Sequence, residues 1–204
     1  MIINLSEKHS LVSNWVSELR DINIHNDRLR FRRNLERIGE VTAFEISKLL
    51  PWKETDIQTP LGVHKSKVLS EQPVVATILR AGLAMHLGLL NYFDKADNAF
   101  VSAYRKHNES GGFDIVLDYV SSPSIQDRIL IISDPMLATG TSLAKTMVAL
   151  EHLGKPAKTY IIAAIASRQG IEYLEEAVGG DLNLWCGDID EQLDENGYII
   201  PGLG

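Results

Sequence analysis

The sequence predicts an α/β fold, a parallel sheet flanked by helices and carrying a β-hairpin arm, a second hairpin and a rigid C-terminal loop. Three observations predict it. First, short apolar runs at residues 74–79, 129–132, 159–166 and 182–186 lack a clear polar alternation, as strands buried on both faces do. Second, apolar residues recur at helical spacing after each of the first three, as in Leu83, Leu87 and Leu90, or Leu143, Met147, Leu150 and Leu153, or Ile171, Leu174 and Val178. Third, strand and helix alternate along the chain, which parallel crossovers require. At 204 residues, we expect a single domain over residues 1–204.

Composition narrows the function classes. Hydrophobic residues are 45% and charged ones 23% of the chain, ordinary for a globular protein. The formal net charge of −7 argues against a general nucleic-acid or anionic-membrane binder. Cys186 is the single cysteine, so an internal disulfide and a cysteine metal cage are excluded. No apolar run approaches the roughly 20 residues of a membrane span. MIINLSEKHS lacks the basic and apolar parts of a signal peptide, so the cytoplasm is the expected compartment.

Leu11, Val12, Trp15, Val16 and Leu19 mark one face of a first helix, and Phe31, Leu35, Ile38, Thr42, Ile46 and Leu49 one face of a second that ends before Pro51. The second helix carries Arg28, Arg30, Arg32, Arg33 and Arg37. Their plain reading is a solvated face paired with Glu36 and Glu40; the sharper readings are a subunit contact or a phosphorylated-effector site. Residues 56–69 alternate around Thr59-Pro60-Leu61-Gly62, which predicts a hairpin arm packing on a second subunit.

The strand at 74–79 ends in Arg80-Ala81-Gly82. Its arginine fork suits phosphate, although a strand-end arginine also serves as plain surface. Residues 99–104 form a third strand leading to Arg105, Lys106 and His107, and residues 115–117 a return strand. The polar tip between them suggests a hood. Met85, Met136, Met147, the tryptophans and Cys186 read as core.

Residues 128–154 hold the densest signal. After the apolar strand come Ser133, Asp134, Pro135, Met136, Leu137, Ala138, Thr139, Gly140, Thr141 and Ser142, then an amphipathic helix stopped by Gly154. A helix start presents unpaired N–H groups and partial positive charge. Small and hydroxylated residues there let a phosphate approach the backbone. Thr141 or Ser142 as a plain N-cap is the alternative. Both the G-K-[ST] ending of a Walker loop and a G-x-G-x-x-G fingerprint are missing. A carboxylate, Asp134, beside a phosphate site suits ribose hydroxyls or a magnesium hydration shell.

At this point DPMLATGTS resembles the phosphoribosyl-pyrophosphate (PRPP) signature of the phosphoribosyltransferases, in the D-P-M-L-A-T-G-G-S form of the uracil phosphoribosyltransferase family. Residues 77–83, TILRAGL, resemble the family's P-I-L-R-A-G-L, with Thr77 in place of proline, and YIIPGLG at the end resembles its uracil loop. The likeness is clear from about residue 73 to 204. It implies a phosphoribosyltransferase-type sheet with a C-terminal base-recognition loop. It also implies a cis peptide near Leu79 and Arg80, and a pentosyltransferase that joins uracil to PRPP to give UMP and pyrophosphate. By the resemblance Asp134 and Arg105 are the catalytic pair. PRPP is held by Arg80, Arg105, Asp134, Pro135, Met136, Leu137, Ala138, Thr139, Gly140, Thr141 and Ser142. Tyr198, Ile199 and Gly204 meet uracil, through a main chain whose buried polar groups reject misplaced donors and acceptors. Mg2+ arrives with the pyrophosphate substrate, GTP is a candidate activator, and a homo-oligomer, dimer or tetramer, is expected. The family continues after the position of Gly204 with an Asp, a role that no residue of this sequence inherits. The rival readings are a pyrimidine-sensing RNA regulator, supported only by the arginine face, and a transferase for another base.

Overall fold

Four strands with largely apolar runs form the centre of the computed structural model, which describes residues 1–107 and 113–203. The side chains of 104–107 and 113–117 lie outside that description. The elements run β1 (Ile2–Asn4), α1 (Leu11–Arg20), α2 (Arg28–Ser47), β2 (Trp52–Thr59), β3 (Gly62–Leu69), β4 (Val74–Leu79), α3 (Leu83–Tyr92), β5 (Asp97–His107), β6 (Phe113–Ser121), β7 (Ile129–Ser133), β8 (Met136–Leu137), α4 (Thr141–Glu151), β9 (Lys158–Ser167), α5 (Arg168–Ala177), β10 (Leu184–Asp190), β11 (Gln192–Leu193) and β12 (Ile199–Ile200). The main sheet has the order β1-β10-β9-β7-β4-β5-β6, with β8 also on β9. Every pair in it is parallel except β5 with β6.

The alternation of side chains along each strand sorts the core into two layers. Val75, Ile131, Ile162 and Trp185 pack with residues of α1, α2 and α3. Their neighbours Val74, Leu130, Ile132, Ile161, Ala163 and Cys186 pack with α4 and α5. The sheet is therefore covered on both faces, as its continuous apolar strands demand. All five residues of β7 are buried, and each large aliphatic so placed contributes about 1.5–3 kcal/mol. Among the described residues, no helix is long and apolar enough to cross a membrane.

Helix α3 corrects the sequence reading. Its expected apolar stripe fails at Leu83 and Leu87, which are exposed, while Met85, His86, Gly88 and Leu89 are buried. Two glycines cause this. A Cβ on Gly88 would stand 2.0 Å from the Glu36 carbonyl oxygen, and one on Gly39 2.4 Å from that of Met85. Backbone-close packing of α2 on α3 thus fixes which face turns inward. Trp52, expected in the core, is 47% exposed at the root of the arm.

The arm itself is as expected: β2 and β3 pair antiparallel from Trp52↔Leu69 to Thr59↔Gly62 and form their own sheet. Strand β1 has no counterpart in the sequence reading, because three residues give too little periodicity. It pairs parallel with β10, and the Met1 amine donates to the Leu182 carbonyl. The arginine face of α2 is partly neutralised. Arg30 pairs with Glu18 and Asp27, Arg33 with Glu36, and Arg37 donates to Asn34.

Candidate active site

In a parallel sheet, the C-terminal ends of the strands share one edge. Here β4, β7, β9 and β10 bring Leu79, Ser133, Ser167 and Asp190 to it. After β4 the chain passes to β5 on one side, whereas β7 lies on the other and leads on to β9 and β10. The order therefore reverses between β4 and β7, where open α/β sheets leave a crevice for ligands. Arg80 and Asp134 are the first residues beyond these two strands.

The loop from Asp134 to Gly140 is more ordered than its sequence suggests. Met136 and Leu137 form β8, parallel to Ile165 and Ala166 of β9. Leu137 is 1% exposed, so its side chain serves the core and only its backbone is open to a ligand. Gly140 caps α4 at φ 77°, with no side-chain hydrogen bond to the cap. Neither Thr141 nor Ser142 is thus a plain N-cap; both are the first residues of the helix, partly exposed. Thr139 Oγ1 donates to Thr141 Oγ1 at 3.1 Å. The Ala138 carbonyl is drawn backward by the Ser167 hydroxyl at 2.5 Å, which in turn accepts from the Gly170 N–H at 2.9 Å. A Cβ at Gly170 would lie 2.1 Å from that carbonyl oxygen. Helix α5 thus presses on the loop from behind while the start of α4 faces a recess lined by Asp134, Met136, Ala138, Thr139, Gly140 and Ser142. Ser167 and Gly170 were missed by sequence reasoning; a Ser N-cap three residues before a Gly was their only signal.

Asp134 is held in this recess by its own N–H, which donates to the Ile162 carbonyl at 3.1 Å. Burial pushes its carboxyl up to about 7, against the Met136 N–H, which favours the charged form. A carboxylate costly to ionise is ready for a partner that supplies hydroxyl donors or positive charge.

Thr77, the departure from the family's proline, is fully buried and donates to the Ser133 carbonyl at 3.2 Å, and the Ser133 hydroxyl donates to Ala76. This ties the end of β4 to the residue before Asp134. Gly82 fits beneath: a Cβ there would be 2.1 Å from Thr77 Oγ1. The Leu79–Arg80 peptide is cis, as the resemblance implied, and so is Ile200–Pro201. Arg80 itself is exposed.

The tail returns over the same edge. Strands β11 and β12 pair antiparallel, and a Cβ at Gly197 would lie 3.3 Å from Thr139 Cγ2. The uracil-loop candidates and the phosphate-loop candidates are therefore neighbours. Tyr198 is 57% exposed, while the Ile199 side chain is 4% exposed and belongs to the core, so only its main chain is open to a base. Arg20 and Asp190, also missed, fasten this tail: Arg20 donates to Asp190 at 2.7 and 2.9 Å, to Asp188 at 3.0 Å and to the Gly202 carbonyl at 2.9 Å. Long sequence separation hid them.

Arg105 stands on β5 opposite Ile115 of β6, and its side chain lies outside the described residues, as do those of Lys106 and His107. The hood tip at 108–112 and Gly204 are outside them as well.

The family model described as uracil phosphoribosyltransferase matches residues 6–204. A uracil phosphoribosyltransferase of Porphyromonas gingivalis is 49% identical over 203 residues, covering 100% of this chain and 94% of that protein. One from Methanothermobacter thermautotrophicus is 34% identical over 180 residues, covering 87% and 81%. A solved protein structure from Aquifex aeolicus superposes with a TM-score of 0.87 at 30% identity, covering 100% and 94%. A purine phosphoribosyltransferase from Pyrococcus horikoshii, at 14% identity and a TM-score of 0.50 over 79% of this chain and 91% of that one, shares the fold alone. This chain belongs to the uracil phosphoribosyltransferase family.

Proposed function

We propose that the protein transfers the phosphoribosyl group of PRPP to uracil, giving UMP and pyrophosphate. The observation that carries this is the shared edge: the Arg80 loop, the Asp134–α4 cradle and the C-terminal tail leave parallel strands in one direction, with Gly197 against Thr139. The 5′-phosphate of PRPP is assigned to the main chain and hydroxyls of Ala138, Thr139, Gly140, Thr141 and Ser142. The ribose hydroxyls are assigned to Asp134, and pyrophosphate to Arg80 and Arg105. Uracil takes the main chain of residues 199–204, beside Tyr198. A uracil ring nitrogen then bonds to C1 of the ribose as the bond from C1 to pyrophosphate breaks, with positive charge building on the sugar and the nitrogen's proton leaving to solvent or to the pyrophosphate. Alignment and stabilisation of the departing pyrophosphate supply the acceleration.

Magnesium fits as a passenger on the substrate. Among the described residues no three of His, Cys, Asp or Glu gather to cage a metal, and Asp134 alone suits a hydrated ion. When bound, the ion neutralises charge on the leaving pyrophosphate. Two finer proposals follow. The arm, with Ile57, Leu61 and Val63 exposed, packs on a second copy to make a dimer or tetramer. GTP activates the enzyme from the arginine face of α2; charge reversal at Arg32 and Arg33 that leaves a GTP response intact refutes this placement.

Incubation with PRPP, Mg2+ and a panel of uracil, cytosine, orotate and purine bases, with products identified by mass, tests the main reading. UMP alone supports it, and a different nucleotide overturns it.

A further inference from the structure

Resting on the reading of residues 199–204 as the base loop, we infer that Arg20 is a positioning residue for uracil recognition. A base read by main chain is recognised only if that main chain is held still. Helix α1 ends at Arg20, and its fork spans the gap between the end of β10 and the loop. Nη1 donates to Asp190 at 2.7 Å and to the Gly202 carbonyl at 2.9 Å; Nη2 donates to Asp190 at 2.9 Å and to Asp188 at 3.0 Å. Asp190 closes the ring by accepting from the Gly202 N–H at 3.1 Å. Both polar groups of Gly202 are thus turned to the scaffold. The next carbonyl, of Leu203, lies 3.3 Å from His25 Nδ1, in reach of an N–H donated from that nitrogen. Gly202 is at φ 65°, and a Cβ there would meet the Ile199 carbonyl oxygen at 2.2 Å. Ile199 and Leu203 are 4% and 5% exposed. The side chains of Ile199 and Leu203, both polar groups of Gly202 and the Leu203 carbonyl are therefore committed to the scaffold, and the path of the main chain between them is set by this clamp.

Helix α1 is seated by Val12, Val16 and Leu19, at 3%, 3% and 0% exposure, whereas among the described residues the Arg20 side chain bonds only to the tail and to the end of the strand leading into it. Lysine cannot replace it fully, because one ammonium does not match two carboxylates and a carbonyl with a planar fork.

The test compares Arg20→Met, Arg20→Lys and Gly202→Ala with the parent chain in the same assay, each checked by thermal melting. For Arg20→Met the uracil KM should rise about tenfold or more with the PRPP KM within about twofold, a split that marks lost binding of one substrate. Arg20→Lys should fall between, and should carry the comparison if Arg20→Met does not fold. Discrimination against cytosine should weaken in parallel. A folded Arg20 variant with unchanged uracil KM, or with both KM values rising together, overturns the inference. If Gly202→Ala raises the uracil KM in that case, the base loop stands and only the clamp falls. If Gly202→Ala also leaves the uracil KM unmoved, the base-loop reading fails and the clamp with it.

Discussion

Asp134→Asn should stabilise the unliganded protein while slowing turnover. The carboxyl is raised from 3.8 to about 7, chiefly by burial. In the unfolded chain it ionises near its ordinary value, so between about pH 4 and 7 the folded state holds a proton that the unfolded state has lost. Stability therefore declines as pH rises through this window, and the deficit is complete above pH 7. At about 1.36 kcal/mol for each tenfold change, its ceiling is about 4 kcal/mol. Asp134 keeps partial exposure, and solvent screening reduces the expected gain to about 1–2 kcal/mol. Asparagine keeps the shape and accepts from the same Met136 N–H without a charge to desolvate. For a chain of this size the gain amounts to about 2–8 °C in Tm. Melting curves of both proteins at pH 5 and pH 8 measure it. The difference should be small at pH 5 and widen at pH 8, with turnover down more than about tenfold, equal to about 1.4 kcal/mol in barrier. In the parent enzyme, kcat/KM for PRPP should fall as pH drops below about 7, where the carboxyl gains its proton. A variant that melts at or below the parent at both pH values, or a difference that ignores pH, refutes the burial argument. Near-normal turnover removes Asp134 from the catalytic scheme.

Arg105→Ala should also lower turnover more than about tenfold by weakening hold on the leaving pyrophosphate; steady-state kinetics check this, and a near-normal rate frees Arg105 of the role. Deleting residues 56–68 should reduce the molar mass seen by light scattering, and an unchanged mass would show that the arm does not join subunits. Gly140→Ala places a side chain at φ 77° with its Cβ 2.8 Å from the Gly170 carbonyl oxygen. The left-handed conformation alone costs about 1–2 kcal/mol, so both a lower Tm and a raised PRPP KM are expected.

The apolar strands were legible because burial on both faces leaves a continuous run, as at Ile129 to Ile132. The arm was legible from its turn. What the chain did not reveal depends on contacts far apart in sequence or on glycine geometry. Leu83 and Leu87 follow helical spacing yet face outward, because Gly39 and Gly88 let two backbones meet and decide the helix's rotation. Leu137 sits within the signature motif, but β8 turns its side chain into the core. The motif located the cradle; it carried no sign of the Ser167 hydroxyl that draws the Ala138 carbonyl back. Asp190 read as part of a tail, whereas it ends β10 and binds a guanidinium 170 positions away.

The lone thiol offers a use of its own. Cys186 is fully buried in β10, and its thiol is pushed up to about 12, first by burial. At neutral pH almost no thiolate exists in the native molecule, and reagents have no path to it. Labelling by a maleimide or a disulfide dye would then count only those moments when β10 is uncovered, by release of the edge strand β1, to whose Ile3 carbonyl the thiol donates, or of the helices packed on it, giving a one-site clock for opening of the scaffold that the presence of PRPP or uracil should slow.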